Sequence, residues 1–174
     1  MKYISISVVC ALLFGACAKK RPSIGIVDGY VPIYASVAAS ESITQMAPQT
    51  IVEGGKIAKL GRYIFQVENN KGIHITDVNN PATPIKKGFI SIPMCQELTL
   101  KGNYLYSNNL SDLVVLNLTD VNAITVSSRI KNAFPEISLP TPIQTNVYFE
   151  CADLSKGAVI GWELKKIDNP SCRK

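Results

Sequence analysis

The sequence predicts an all-β protein: two propeller-blade-like antiparallel four-stranded units, a partial β-propeller, with a C-terminal β-hairpin after them and a signal peptide and tether before them. Three observations carry this reading. Gly61-Arg-Tyr-Ile-Phe65 followed by Gly72-Ile-His-Ile-Thr-Asp-Val-Asn-Asn-Pro81 returns as Gly102-Asn-Tyr-Leu-Tyr106 and Leu113-Val-Val-Leu-Asn-Leu-Thr-Asp120, a period of about 40 residues that suits one small sheet of a propeller or array. Around both copies the apolar residues alternate with polar ones or run β-branched between turn-forming clusters, which is the pattern of strands. At the N-terminus Lys2, an apolar run and a few small residues precede a cysteine, the pattern of an exported chain.

Residues 1–16 are the predicted signal peptide. The apolar run Ile4 to Leu13 is too short for a helix that must cross a hydrocarbon core needing roughly 20 residues. Without its first 16 residues the 174-residue chain keeps 158, and its net charge falls from +5 to +4 with the loss of Lys2; that is enough chain for one domain with a core. Residues 17–55 read as a tether: small and polar, with Ala-Ser-Val-Ala-Ala-Ser at 35–40 and a helix-breaking Pro48. One short helix is expected around Ser40 to Met46. Within the tether, Asp28-Gly-Tyr-Val-Pro-Ile-Tyr34 is more apolar than a free linker needs, so it is expected to pack on the domain with its tyrosines as anchors.

The two repeats span 56–94 and 97–134. In the first, strands are expected at Lys56 to Leu60, Tyr63 to Val67, Ile73 to Asp77 and Ile85 to Ile92; in the second, at Glu97 to Lys101, Tyr104 to Ser107, Leu113 to Leu118 and Ile124 to Ile130. Tyr63 and Tyr104 are offset by 41 positions, whereas Asp77 and Asn117 are offset by 40. The missing residue belongs in the second unit's hairpin loop, because a deletion inside a strand would flip its faces. Alternation puts Tyr63, Phe65 and Val67 with Ile73 and Ile75 as packing residues, and by equivalence Tyr104, Tyr106, Leu113 and Val115 in the second unit. His74 falls on the opposite face from Ile73 and Ile75, as a structural or surface histidine. Gly61 and Gly102 suit tight connections, and Asp77 is placed to cap the turn at Asn79-Asn-Pro81.

Residues 135–174 supply a candidate hairpin, Asn146 to Cys151 with Ala158 to Leu164 around a turn at Asp153 to Gly157, and Trp162 as an apolar plug. Cys151 and Cys172 flank it. Bridging them would close a loop of about 20 residues, worth ~3 kcal/mol in the chain-entropy account. A bridge from Cys95 to either remains open; otherwise Cys95 is a buried thiol, a commoner reason for such a cysteine than a soft-metal site beside Met94.

Phe14-Gly-Ala-Cys17 resembles a bacterial lipobox, with Phe14 where an aliphatic residue is usual. The resemblance implies that Cys17 receives a diacylglyceryl group and becomes the mature N-terminus, holding the chain on a membrane by its acyl chains. Lys19, Lys20 and Arg21 then follow as a solvated tether or as an attraction to anionic headgroups. Surface-exported lipoproteins carry an acidic cluster at this place in some bacteria, so the implied location is the cell envelope, at the periplasmic face of the outer membrane. Residues 72–84 in turn resemble the LVIVD repeat of bacterial β-propeller lipoproteins, with Leu113-Val-Val-Leu-Asn117 as a second copy. That copy has Asn117 for the usual Asp, and Val121 and Ile124 where prolines stand, which predicts a looser turn. Tyr30-Val-Pro-Ile-Tyr34, Tyr148-Phe-Glu-Cys151 and Lys156-Gly-Ala-Val-Ile-Gly-Trp162 extend the likeness over most of the mature chain. A propeller closes with about four or more blades, so two units call for cover from the 135–174 tail, for edge pairing with a second chain, or for blades lost from a shortened relative with no function of its own.

Function is bounded mainly by exclusion. Basic residues are spread along the chain without interleaved stacking aromatics, which argues against nucleic-acid binding. His74 is the only histidine, so no His-based catalytic set or dedicated metal site is apparent, no cofactor is called for, and Asp112, Asp120 and Asp153 read as turn formers. The expected role is a lipid-anchored binding or scaffolding protein whose partner is an envelope protein or glycan. The competing class is an envelope hydrolase or metal-dependent enzyme, which requires His74 to line a pocket with a carboxylate in hydrogen-bond reach.

Overall fold

The computed structural model describes residues 23–135, 141–142 and 144–174. The expected signal peptide, Cys17 and the basic cluster at 19–21 lie outside the described residues. Along the chain come β1 (Ile26–Ala35), α1 (Val37–Glu41), β2 (Thr44–Met46), β3 (Gly54–Leu60), β4 (Tyr63–Glu68), β5 (Gly72–Asp77), β6 (Ile85–Ser91), β7 (Leu98–Lys101), β8 (Tyr104–Asn109), β9 (Asp112–Asn117) and β10 (Thr125–Ile130). β11 (Tyr148–Phe149), a single 3-10 turn (Leu154–Lys156), β12 (Ala158–Asp168) and β13 (Cys172–Arg173) follow. They form an all-β fold of three sheets, ordered β2-β6-β5-β4-β3, β10-β9-β8-β7 and β12-β1-β11-β13.

The two repeats are two antiparallel meanders, as their alternation predicts. Glu68 pairs with Gly72 across a three-residue loop, and Asn109 pairs with Asp112 across a two-residue loop, so the one-residue deletion falls in the hairpin and leaves both registers intact. The turn chemistry repeats too. Asp77 Oδ1 accepts from the Asn79 N–H at 2.9 Å, and Asn117 Oδ1 accepts from Thr119 N–H at 2.9 Å. Asn80 and Asp120 then cap Ala82 and Asn122 in the same way, at 3.1 and 2.9 Å. The expected looser second turn is therefore corrected: Asn117 supplies the same acceptor as Asp77, and the Asx turns do not need the prolines.

The meanders stack through a core of Phe65, Val67, Ile73, Ile75 and Ile90 from the first against Leu98, Leu105 and Leu116 from the second, with Ile92 and Cys95 between. Pairing places Phe65 opposite Ile75 and Leu105 opposite Leu116. By the repeat offset, Leu105 is the counterpart of Ile64 and Leu116 of Thr76, so one unit's front packs on the next unit's back. This corrects the expectation for Tyr104, Tyr106, Leu113 and Val115. They share the second unit's outward face, where Tyr104 is 40% exposed and the others are half-buried. Ile90 and its counterpart Ile130 show the same inversion, at 1% and 54% exposure.

The tether and hairpin expectations are overturned together. Ile26 to Ala35 is a strand paired along its length with β12, so the tether reading fails from Ile26 onward. β11 lies parallel to β1 and antiparallel to β13 instead of forming a hairpin with β12. The N-terminal strand is thus inserted between the two arms of the presumed hairpin. Pro32 is tolerated because β11 reaches only Gly29 and Tyr30, leaving the proline's missing N–H beyond the shared ladder. Gly29 is required there by space: a Cβ would sit 2.1 Å from Ile167 Cδ1 and 2.9 Å from Tyr148 O. Trp162 packs edge-on to Phe149 with ring centroids 5.5 Å apart. The short helix lies earlier than expected, capped by Ser36, whose Oγ accepts from Ala39 N–H at 3.2 Å. Thr44 to Met46, expected as its end, extends the first meander along β6.

Candidate functional site

The back of the first meander, away from the second, gathers polar groups. Glu68 ends β4 directly opposite Gly72, and His74 is the diagonal neighbour two residues along β5 on the same face, close enough for long side chains to meet. Both are buried, at 2% and 3% exposure. The Glu68 carboxylate accepts from His74 Nε2 at 2.8 Å, from Glu53 N–H at 2.6 Å and from Val52 N–H at 3.0 Å. Burial pushes its pKa up, but the Glu53 N–H, His74 and Val52 N–H outweigh burial and hold Glu68 below the usual glutamate range. An ionised Glu68 only accepts, so Nε2 carries the proton it shares.

That assignment leaves Nδ1. It has no hydrogen-bond partner among the described residues, while among them no side-chain nitrogen or oxygen sealed from solvent lacks a partner. Nδ1 is therefore not sealed from solvent, and His74 lines a cavity; in the neutral ring Nδ1 is an acceptor. The Phe89 ring backs the imidazole, its centroid 4.9 Å away. Gly72, opposite Glu68, admits no other residue: its φ is +151° and a hypothetical Cβ would sit 2.0 Å from Ile90 O.

The cavity measures about 620 Å³, inside the range of roughly 300–1,000 Å³ usual for small-molecule sites. Met46, Val52, Phe89, Pro93 and Ile160 give it apolar walls. Gln49, Thr50, Asn70, Lys71 and Ser91 are the polar residues that line it beside Glu68 and His74. Ile160 comes from β12, so the third sheet closes a cleft that the first meander alone would leave open.

His74 therefore sits in a pocket beside a carboxylate: of the two positions expected for it, structural or surface, it takes the buried, structural one. Glu68 was missed in the sequence, although its signal was there: it follows Val67 out of phase with the packing face and precedes a tight turn that returns the chain to His74. Cys151 and Cys172 are bonded to each other, with Cα atoms 5.4 Å apart. Cys95 is a buried free thiol; burial raises its pKa to about 11 against hydrogen bonds involving Ser107 and Glu97. Asp120 and Asp153 are turn and cap residues, whereas Asp112 is buried against Arg129 at 2.9 Å, in a cluster that Arg129 ties to the Glu41 carbonyl at 2.8 Å.

Among the described residues no group of three or more His, Cys, Asp or Glu side chains could hold a metal ion, and no helix is long and apolar enough to cross a membrane. Set against family models, curated proteins and solved structures, the chain matches none.

Proposed function

We propose that the chain is a lipid-anchored binding protein of the bacterial cell envelope, built from LVIVD-like propeller units and holding its partner at the His74 pocket. One observation carries the binding site: an imidazole buried and oriented by a carboxylate, with its second nitrogen unpaired among the described residues, in the lining of a cavity of ligand size. The anchor rests on Cys17 behind its apolar leader, and it would hold the pocket at the periplasmic face of the outer membrane, within reach of envelope glycans and proteins.

Two experiments test this. An alkyne fatty acid should label the chain in growing cells, and a Cys17→Ala form that stays equally labelled and membrane-bound refutes the anchor. Fractions of envelope extract should move the resonance of the single imidazole, and Thr50→Trp, placed to fill the cavity, should abolish the response. Extracts that leave the imidazole unmoved refute the pocket.

A second reading, an envelope hydrolase, draws on the same pair, because a carboxylate-oriented imidazole is the base half of many nucleophilic sites. It requires ester or amide turnover that disappears in His74→Gln.

A further inference from the structure

Resting on that binding reading, we infer that the ligand is a hydroxylated organic acid of the sugar-acid class, with a hydroxyl donating to His74 Nδ1 and its carboxylate directed to Lys71. The argument begins at the floor. With Nε2–H committed to Glu68, Nδ1 is the ring nitrogen left to a ligand, and when the ring is neutral a ligand meets it with a donor. A donor can be a hydroxyl, an amide N–H or an ammonium. Lys71 also lines the cavity, and its side chain is exposed and makes no ion pair among the described residues. A cationic donor would be repelled by it, while an anionic group on the same ligand would gain a partner.

The remaining lining suits a ring that is polar at its edge and apolar on its faces. Thr50 and Ser91 offer hydroxyls and Gln49 an amide, all able both to donate and accept, whereas Met46, Val52 and Ile160 supply apolar contact. Glu68 keeps its negative charge although three donors surround its carboxylate, so the acid's own carboxylate is assigned to Lys71 and only its hydroxyl to the histidine. The cavity, about 620 Å³, accommodates more than one such ring.

The chain's single histidine makes the test direct. The full chain, purified in detergent without a polyhistidine tag and with nitrogen-15 in its imidazole, gives one set of side-chain resonances. D-glucuronate should shift the Nδ1 resonance in a saturable way and D-glucose should do so with at least tenfold weaker affinity. Lys71→Met, a change at an exposed side chain, should weaken glucuronate about tenfold, the size of one charge-assisted hydrogen bond, and leave the glucose response unchanged. Equal affinities for the two sugars, or an unaltered glucuronate affinity in Lys71→Met, would overturn the acid assignment. If benzyl alcohol moves Nδ1 while neither sugar does, the ligand class is wrong and the pocket reading survives. If none of these probes and no envelope fraction moves it, both fall.

Discussion

Breaking the Cys151–Cys172 bond should destabilise the protein by about 3 kcal/mol. The two cysteines are 21 positions apart, and closing a loop of that size removes an entropy from the unfolded chain worth ~3 kcal/mol at 25 °C. Cys151 is exposed and Cys172 half-buried, so Cys172→Ser leaves no cavity and the loss measures the cross-link itself. The native state offers little compensation. β11 and β13 share only two residue pairs, extended by reciprocal backbone bonds between Val147 and Lys174 at 3.2 and 3.0 Å. For a chain of this length 1 kcal/mol corresponds to about 2–4 °C, so the melting temperature should fall by roughly 6–12 °C. Scanning calorimetry of a form beginning at Ala18, with and without reductant, provides the assay; the reduced wild type and Cys172→Ser should coincide. A midpoint within about 2 °C of the oxidised wild type would refute the reasoning, and would mean that the end of the chain detaches locally before the sheets unfold.

Three further outcomes test other parts of the structure. The Cys95 thiol, with a pKa raised to about 11 from 9.0, stabilises the fold below pH 9, and this contribution is lost as pH rises from about 9 to 11. Its size is on the order of 2–3 kcal/mol, read as the difference in urea stability between wild type and Cys95→Ala across that window; parallel pH profiles would contradict it. The lowered pKa of Glu68 works in the other direction: its contribution is full above the unfolded value near 4.5 and fades as pH falls through the depressed folded value. Glu68→Gln should therefore cost ~1–3 kcal/mol at neutral pH and flatten the acid limb of the stability profile, and an unchanged acid limb would count against the pair. Ile90→Ala should cost ~2–5 kcal/mol, whereas Ile130→Ala, at the equivalent position of the second repeat, should cost under about 0.5 kcal/mol; equal losses would refute the front-to-back stacking.

The sequence disclosed the meanders because their information is local. Strand periodicity, the Asx turns at Asp77 and Asn117, and the one-residue loop difference all lie within short windows. It did not disclose which face of the second meander is buried, since both faces of Tyr104 to Asn109 carry apolar residues and the choice depends on a neighbouring sheet. The third sheet was hidden for a related reason. Ile26 to Ala35 finds its partner in Ala158 to Asp168, and nothing in either segment names the other. The candidate site lay between these cases: His74 was visible as the lone histidine and its partner Glu68 was a few residues away, but the cavity depends on Met46 and Ile160, which come from segments read as tether and hairpin.

The pairing of β1 with β12 also sets an order of events. A chain is made from its N-terminus, and the two meanders can form as soon as their own residues emerge, because their contacts are short in sequence. β1 cannot. It must wait, with its backbone donors and acceptors unpaired, until almost the whole chain has followed, and the loop it then closes encloses both meanders. The slow step of folding should therefore be the capture of the first strand by the last ones, with the Cys151–Cys172 bond fastening the sheet once it has formed. Until that capture β1 is an open edge, the segment through which two nascent chains could exchange strands.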